Sequence, residues 1–317
     1  MKLKALALAV GAIGAIGAFG ALPAAAQQVT MMTGPQGGVW VPLGGALKGM
    51  WEKAVPTLRM NVQPGAGIAN VVAISTNKAH LGFGNTITTV DGIAGRPPYK
   101  EKAKNVCNLA NLYPQYFQVV VAANSGINTF ADLKGKSMVA QPRGNTAEIV
   151  TQHILKIAGL DYKSLSKANF IASYTDAVSM MKDGNAQVFT LGTTVPASAV
   201  MDLASARDIK LLGIDNKILA DMRKINPGYS KVTIPANTYP KQAQPVDVIG
   251  YATHVVAACD LHEDIAYKMV KAMAENVADM AAVNKAMTGL TPKAMAADVG
   301  VRTHPGALKF YREQKAI

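Results

Sequence analysis

Two short stretches carry the residue types best suited to holding a small ligand without covalent chemistry. The first, Thr33-Gly34-Pro35-Gln36-Gly37-Gly38, leads into a segment with helical apolar spacing that has Trp40 near its start. Glycines let the backbone take positive φ and approach a ligand closely, and the helix behind them offers unpaired N–H groups and a positive dipole end. An anion placed there needs neither metal nor cofactor. The second, Gln141-Pro142-Arg143-Gly144-Asn145-Thr146, repeats the design. Asn145 with Glu148 has capping-box spacing, Thr146 supplies a hydroxyl, and Arg143 carries a guanidinium able to grip a carboxylate through two bonds. Further loops at predicted strand ends hold Gly67 and Asn70, Asn85 and Thr86, and Thr193 and Thr194. The candidate ligand-binding set is therefore Gln36, Gly37, Gly38, Trp40, Gly67, Asn70, Asn85, Thr86, Arg143, Asn145, Thr146, Thr193 and Thr194. Taken singly, each also reads as an ordinary cap or turn residue.

Catalytic and metal chemistry find little support. The chain has no G-x-S-x-G elbow, no H-E-x-x-H and no Gly-rich loop ending in Gly-Lys-Ser/Thr, and its five histidines are scattered. GPQGGVW misplaces the third glycine of a dinucleotide fingerprint, and Gln63 stands where an acidic residue is required. The expectation is a protein that is not an enzyme, with no cofactor and no metal. Cys107 and Cys259 are the two cysteines. Two buried free thiols are the preferred reading and one disulfide the alternative, since spacing does not determine pairing.

The formal net charge is +12, with Lys and Arg dispersed rather than clustered. The absence of a basic run or of basic–aromatic interleaving argues against a nucleic-acid partner. A dispersed surplus fits an anionic small molecule drawn into a cleft.

The elements around these loops alternate. Residues 1–26 combine a basic start, an uncharged core and an Ala24-Ala25-Ala26 cleavage site, the pattern of a secretory signal peptide. From residue 27 onward, periodicity predicts helices over 41–53 and 68–78 and strands over 58–64 and 80–85, a βαβα order suited to parallel strands. Residues 105–121 read as two extended pieces broken at Pro114. A second α/β unit follows, with a strand at 137–141, a helix over 146–158, a helix over 176–184, a strand at 186–192, a helix from Pro196 and a strand at 209–214. The five prolines of 225–247 suggest an extended connector. Residues 248–259 form a strand pair or one bent strand, and Asp260 with Glu263 reads as the capping box of a helix over 261–280. The expected organisation is two α/β lobes, 27–118 with 239–317 and 119–238, joined by two extended crossings with a cleft between them. Small-molecule sites favour such places.

The chain resembles the TAXI family of TRAP-transporter solute receptors. The resemblance is carried by TGPQGGVWVPLGGAL at 33–47, Gly67 with Asn70, ADLKGKSMVAQPRGNT at 131–146, AGLD at 158–161, IPANTYP at 234–240 and HPGALKFYRE at 304–313. It implies a bilobal periplasmic binding protein of type II-like fold, located in the periplasm, monomeric, that closes on a small organic anion and hands it to TRAP membrane subunits. Trp40 stands where the family usually has tyrosine, and Thr86 corresponds best to its usual aspartate. Gly67 replaces a serine, and Arg143 is an addition. Loss of an acid and gain of a base favour a dicarboxylate or keto acid over an amino acid. A glutamate-like ligand, with Asp91 or Asp176 as acceptor, is the first alternative, and a ligandless interaction protein with the same body is the second.

Overall fold

The computed structural model describes residues 27–317; the expected signal peptide, residues 1–26, lies outside the described residues. The chain begins with β1 (Gln27–Met32), α1 (Trp40–Ala54), β2 (Leu58–Gln63), α2 (Gly67–Ser75), β3 (Leu81–Asn85) and α3 (Thr86–Ala94). β1 pairs parallel with both β2 and β3, as the βαβα order requires. Leu43, Leu47 and Trp51 follow the i, i+4 spacing of α1 and bury completely against the sheet.

A single 17-residue strand follows, β4 (Val106–Ala122), which corrects the expected break at Pro114. Pro114 is exposed and pairs antiparallel opposite Ala252, and the ladder shifts register one step away, between Thr253 and His254. A residue without an N–H is tolerated at such an irregularity. The second unit then comprises β5 (Ser137–Ala140), α4 (Thr146–Ile157), β6 (Lys167–Phe170), α5 (Tyr174–Lys182), β7 (Val188–Thr193), α6 (Ser198–Ala206), β8 (Ile209–Leu211) and α7 (Asn216–Ile225). β6 and α7 are absent from the sequence reading. Asp215 caps α7 by accepting the Ile218 N–H at 2.7 Å. The proline-rich passage is partly a strand, β9 (Ser230–Ile234), which pairs with β10 (Val246–Ala258) alone, as suits an edge position.

β10 is one strand with local register shifts, and it runs beside β4 from Val106 to Phe117. The sheet order is β2-β1-β3-β10-β4-β7-β5-β6, with β8 on β4 and β9 on β10. Thus β4 and β10 are common to both halves. The parallel strands of the first half meet them through β3, and those of the second through β7.

The cores divide accordingly. One gathers residues of β1–β3, α1, the N-terminal part of β4 and the chain after Val255, through α8 (Glu263–Glu275), α9 (Val277–Val283), α10 (Pro292–Met295) and α11 (Pro305–Glu313). Two others gather residues 116–251, joined by Ile87 from the first half. Most apolar surface is buried within one half or the other, but a smaller cluster crosses the cleft, with Ile149 of α4 among Ile68, Val71 and Ile74 of α2, so contacts between the halves are in part apolar.

Two sequence expectations change in the first lobe. His262, not Asp260, caps α8, its Nδ1 accepting the Asp264 N–H at 3.3 Å, and the helical run breaks at Asn276 before α9. Cys107 and Cys259 form a disulfide with Cα atoms 5.1 Å apart, so they are not free thiols. The bridge staples the start of β4 to the residue after β10, the two strands both lobes share.

Candidate functional site

The glycine turn at residues 34–38 and the loop at residues 142–146 belong to different lobes and face each other. The Tyr174 N–H, at the start of α5, donates to the Gln36 carbonyl at 3.0 Å. The Ile68 and Ala69 N–H groups, at the start of α2, donate to the Gly144 carbonyl at 3.1 and 3.0 Å. The Thr88 and Thr146 hydroxyls are 2.9 Å apart. These bonds cross between the lobes, so the structure is a closed form.

The glycines are explained by this closure. Gly37 has φ +79°, and a Cβ there would stand 3.0 Å from the Thr175 hydroxyl. A Cβ on Gly67 would lie 2.4 Å from the Thr146 hydroxyl and 2.9 Å from the Asn85 amide. These positions are small because the opposing lobe occupies the space.

Between the loops lies a small cavity of about 20 Å³, room for little more than one water molecule. Gly38, Trp40, Gly67, Asn85, Asn145 and Thr193 line it, six of the candidate residues. Its remaining polar wall is Gln115 of β4, with Tyr174 and Tyr251 supplying rings. Sequence reasoning missed these three. Gln115 is 2 % exposed and pairs with Tyr251 where β4 and β10 run between the lobes. Burial raises the pKa of both tyrosines, keeping them neutral. The Tyr174 hydroxyl donates to the Gly192 carbonyl at 3.2 Å.

Several polar groups here have no partner. The Trp40 Nε1, the Asn85 Oδ1 and the Gln115 Oε1 are buried without one, while the Gln115 amide nitrogen donates to the Thr253 hydroxyl at 2.6 Å. α1 begins with no side-chain cap. At the start of α4, Asn145 accepts the Ala147 N–H at 2.8 Å, while Glu148 turns to Gln152 rather than back to Asn145. Asn145 therefore caps the helix but the reciprocal half of the box is missing. A buried cavity with unmatched donors and acceptors is an energetic liability that a polar ligand relieves.

Gln36, Gly37 and Thr194 line the wider mouth of the cleft rather than the cavity, and Gly38 and Thr193 line both. Four candidates play other parts. Asn70 is fully buried and saturated: its amide nitrogen donates to the Thr33 and Phe83 carbonyls at 2.8 and 2.9 Å, and its oxygen accepts the Ala66 N–H at 3.0 Å. It ties three loops together and has nothing left for a ligand. Thr86 accepts the Ala252 N–H at 3.3 Å and lines a groove away from the cavity. Thr146 lends its hydroxyl to the interlobe bond. Arg143 is exposed, with its guanidinium 5.9 Å from the Phe170 ring centre, and does not line the cavity. The expected guanidinium–carboxylate grip is therefore not built in this closed form.

No charged side chain lines the cavity. Asp91 is committed elsewhere, paired with Arg96 at 2.7 Å and accepting from Asn226 at 2.9 Å, and Asp176 is exposed in the first turn of α5. Among the described residues, no cluster of His, Cys, Asp or Glu has the geometry of a metal site, and no helix is long and apolar enough to cross a membrane.

A model of the NMT1-like family matches residues 31–314. The chain is similar in fold to PhnD1 from Prochlorococcus marinus, solved in complex with methylphosphonate, at 14 % identity and a TM-score of 0.55 over 92 % of this chain and 99 % of that one. It is similar to a protein from Bordetella bronchiseptica RB50 at 18 % identity and a TM-score of 0.55, covering 92 % and 89 % of the two chains. An ancestral arginine-binding protein solved with arginine gives 15 % identity and a TM-score of 0.51, covering 83 % and 98 %. These likenesses establish the two-lobed α/β fold of periplasmic binding proteins.

Proposed function

The chain belongs to the NMT1-like family, whose members are non-catalytic periplasmic solute-binding proteins of the TRAP-transporter type, and from that premise we propose what its cleft captures. The ligand is a small organic anion without an ammonium group, a dicarboxylate or keto acid, which the protein delivers to the membrane subunits of a TRAP transporter. In this reading the lobes are residues 27–118 with 239–317, and 119–238, and the receptor works as a monomer.

The observation that carries the reading is the cavity's chemistry: helix starts and one unpartnered donor, the Trp40 Nε1, on its walls, and no carboxylate, with the Asn85 Oδ1 and the Gln115 Oε1 left to accept from a hydroxyl of the ligand or from water. An ammonium taken there would leave water without an anionic partner, a cost of several kcal/mol. A carboxylate meets the Trp40 Nε1, the Thr193 hydroxyl and the positive ends of α1 and α4. The loss of Arg143 from the wall moves the recognition of charge from a salt bridge to oriented dipoles. Methylphosphonate, the ligand of the Prochlorococcus protein, is likewise a small acid, whereas the arginine bound by the ancestral protein carries cationic groups for which this cavity offers no counter-charge.

Ligand binds one lobe of the open form first and draws the other across it. The Gly144 carbonyl then closes the start of α2 while the Gln36 carbonyl receives α5. A hundredfold preference for the closed state requires about 2.7 kcal/mol of differential binding. The test is calorimetry on residues 27–317 with a panel of dicarboxylates, keto acids, sulfonates and amino acids. Binding of an acid without an amine, at micromolar affinity or tighter, is the expected result. Preferential binding of an amino acid would return the site to the glutamate-like alternative, and silence across the panel would count against a receptor of this kind.

A further inference from the structure

An acid oxygen in the inner cavity satisfies the Trp40 Nε1, but it does nothing for the two acceptors beside it. The Asn85 Oδ1 and the Gln115 Oε1 are buried without a partner, on residues 5 % and 2 % exposed that line the cavity. An anion set against two bare carbonyl oxygens leaves both unsatisfied, each a polar group that has lost its water. Those oxygens need a donor.

The sheet fixes where they stand. Asn85 of β3 lies opposite Thr253 of β10, and Thr253 opposite Tyr113 of β4. Gln115 is two residues along β4 from Tyr113, so Asn85, Thr253 and Gln115 project from the same face of three adjacent strands. Thr253, fully buried, accepts the Gln115 amide nitrogen at 2.6 Å. With its donor half held by that bond, the amide keeps its carbonyl half for the cavity. The cavity has room for little more than one water, so the donating group must be about one atom in size and attached next to the acid group. A hydroxyl meets that requirement. A keto oxygen only accepts and would set a third acceptor against the two, and an ammonium donates but finds no counter-charge.

We propose that Gln115, with Asn85 beside it, determines specificity by reading a hydroxyl of the ligand, carried on the carbon next to the acid group and donating to the Gln115 carbonyl oxygen. Thr253 is the positioning residue that holds the Gln115 amide in the accepting orientation. The inference rests on the organic-anion reading above and chooses within it, against the keto acid, through the two acceptors that the acid group leaves unmet.

The experiment is calorimetry on residues 27–317 with two matched series that differ only at the carbon beside the acid. One is 2-hydroxypropanoate, pyruvate, propanoate and alanine; the other is 2-hydroxyglutarate, 2-oxoglutarate, glutarate and glutamate. In the series that binds better, the hydroxy acid is expected to bind at least tenfold tighter than both the keto acid and the unsubstituted acid. Gln115→Met should bring the hydroxy-to-unsubstituted ratio below threefold. Thr253→Val keeps Gln115 but frees its amide to turn, and should lower the same ratio. A general loss of packing would weaken both acids together and leave the ratio where it was. A keto acid that binds as tightly as the hydroxy acid in the wild type, or a ratio unchanged in both variants, would overturn the hydroxyl assignment and leave the anion reading standing. Preference for the amino acid, or no heat from any compound, would overturn both.

Discussion

Replacing Gly67 with alanine tests closure at one atom. The added Cβ would lie 2.4 Å from the Thr146 hydroxyl across the cleft, closer than such atoms approach, and 2.9 Å from the Asn85 amide of its own lobe. Asn85 can turn aside within the first lobe, but Thr146 is held in the first turn of a buried helix, so the lobes themselves must separate. Separation breaks the bonds from the Ile68 and Ala69 N–H groups to the Gly144 carbonyl and the bond between the Thr88 and Thr146 hydroxyls. Three bonds at about 0.5–1.5 kcal/mol each put the loss at roughly 2–4 kcal/mol, or about 30- to 1,000-fold in affinity. The assay pairs calorimetry, using whichever acid the wild type binds, with small-angle scattering in its presence. Gly67→Ala should bind at least 30-fold more weakly and fail to compact, while its thermal midpoint without ligand stays within a few degrees of wild type because neither core is touched. Wild-type affinity together with ligand-driven compaction would refute the argument that this contact governs closure.

Arg143→Ala should leave ligand affinity within about twofold, because the guanidinium rests over Phe170 outside the cavity; calorimetry checks this, and the exposed cation–π contact limits the stability loss to about 1 kcal/mol. Asn70→Ala removes bonds to two buried carbonyls and one N–H. It should destabilise the protein by about 3 kcal/mol, seen in thermal unfolding as a drop of roughly 5–10 °C. Burial lowers the pKa of His254 to about 3 and that of His153 to about 4, so between those values and about 6.5 the unfolded chain binds protons that the folded one does not. Stability should therefore fall as pH drops below about 6.5, by up to about 1.4 kcal/mol per pH unit for each histidine; His254→Gln, though less stable overall, should show a shallower acid slope in denaturant titrations.

The fold was legible where local physics decides it. The helical spacing of Leu43, Leu47 and Trp51, and the alternation of residues 58–63, describe half-buried elements whatever lies around them. Asn145 announced the start of α4 because an N-cap is a local contact. Elements that depend on their neighbours were less visible. Pro114 looks like a break until its partner strand shifts register beside it. α7, by contrast, carries a local signal, an Asp215 cap followed by Ile218, Leu219, Met222 and Ile225 at helical spacing. The loops that meet at the cleft could be picked out because glycine and cap residues mark strand-to-helix turns. Their division of labour could not, because it is set by how closely the lobes approach. Asn70 and Arg143 have side chains suited to ligands, yet one is consumed by three loops and the other lies on Phe170. Gln115, Tyr174 and Tyr251 sit within strand and helix patterns that signal burial only; their place in the cavity follows from the meeting of two lobes, which a single-chain pattern does not encode. The one sequence cue was a glutamine and a tyrosine at apolar-flanked positions of the strands shared by both halves.

The most direct test of the account is a crystal structure of residues 27–317 with the acid that gives the largest calorimetric signal. One molecule is expected, with an acidic group enclosed by Trp40, Asn85, Gln115 and Asn145, and the Gly144 carbonyl closed onto the Ile68 and Ala69 N–H groups. An acid bound elsewhere on the surface, or lobes that stay apart around it, would contradict it.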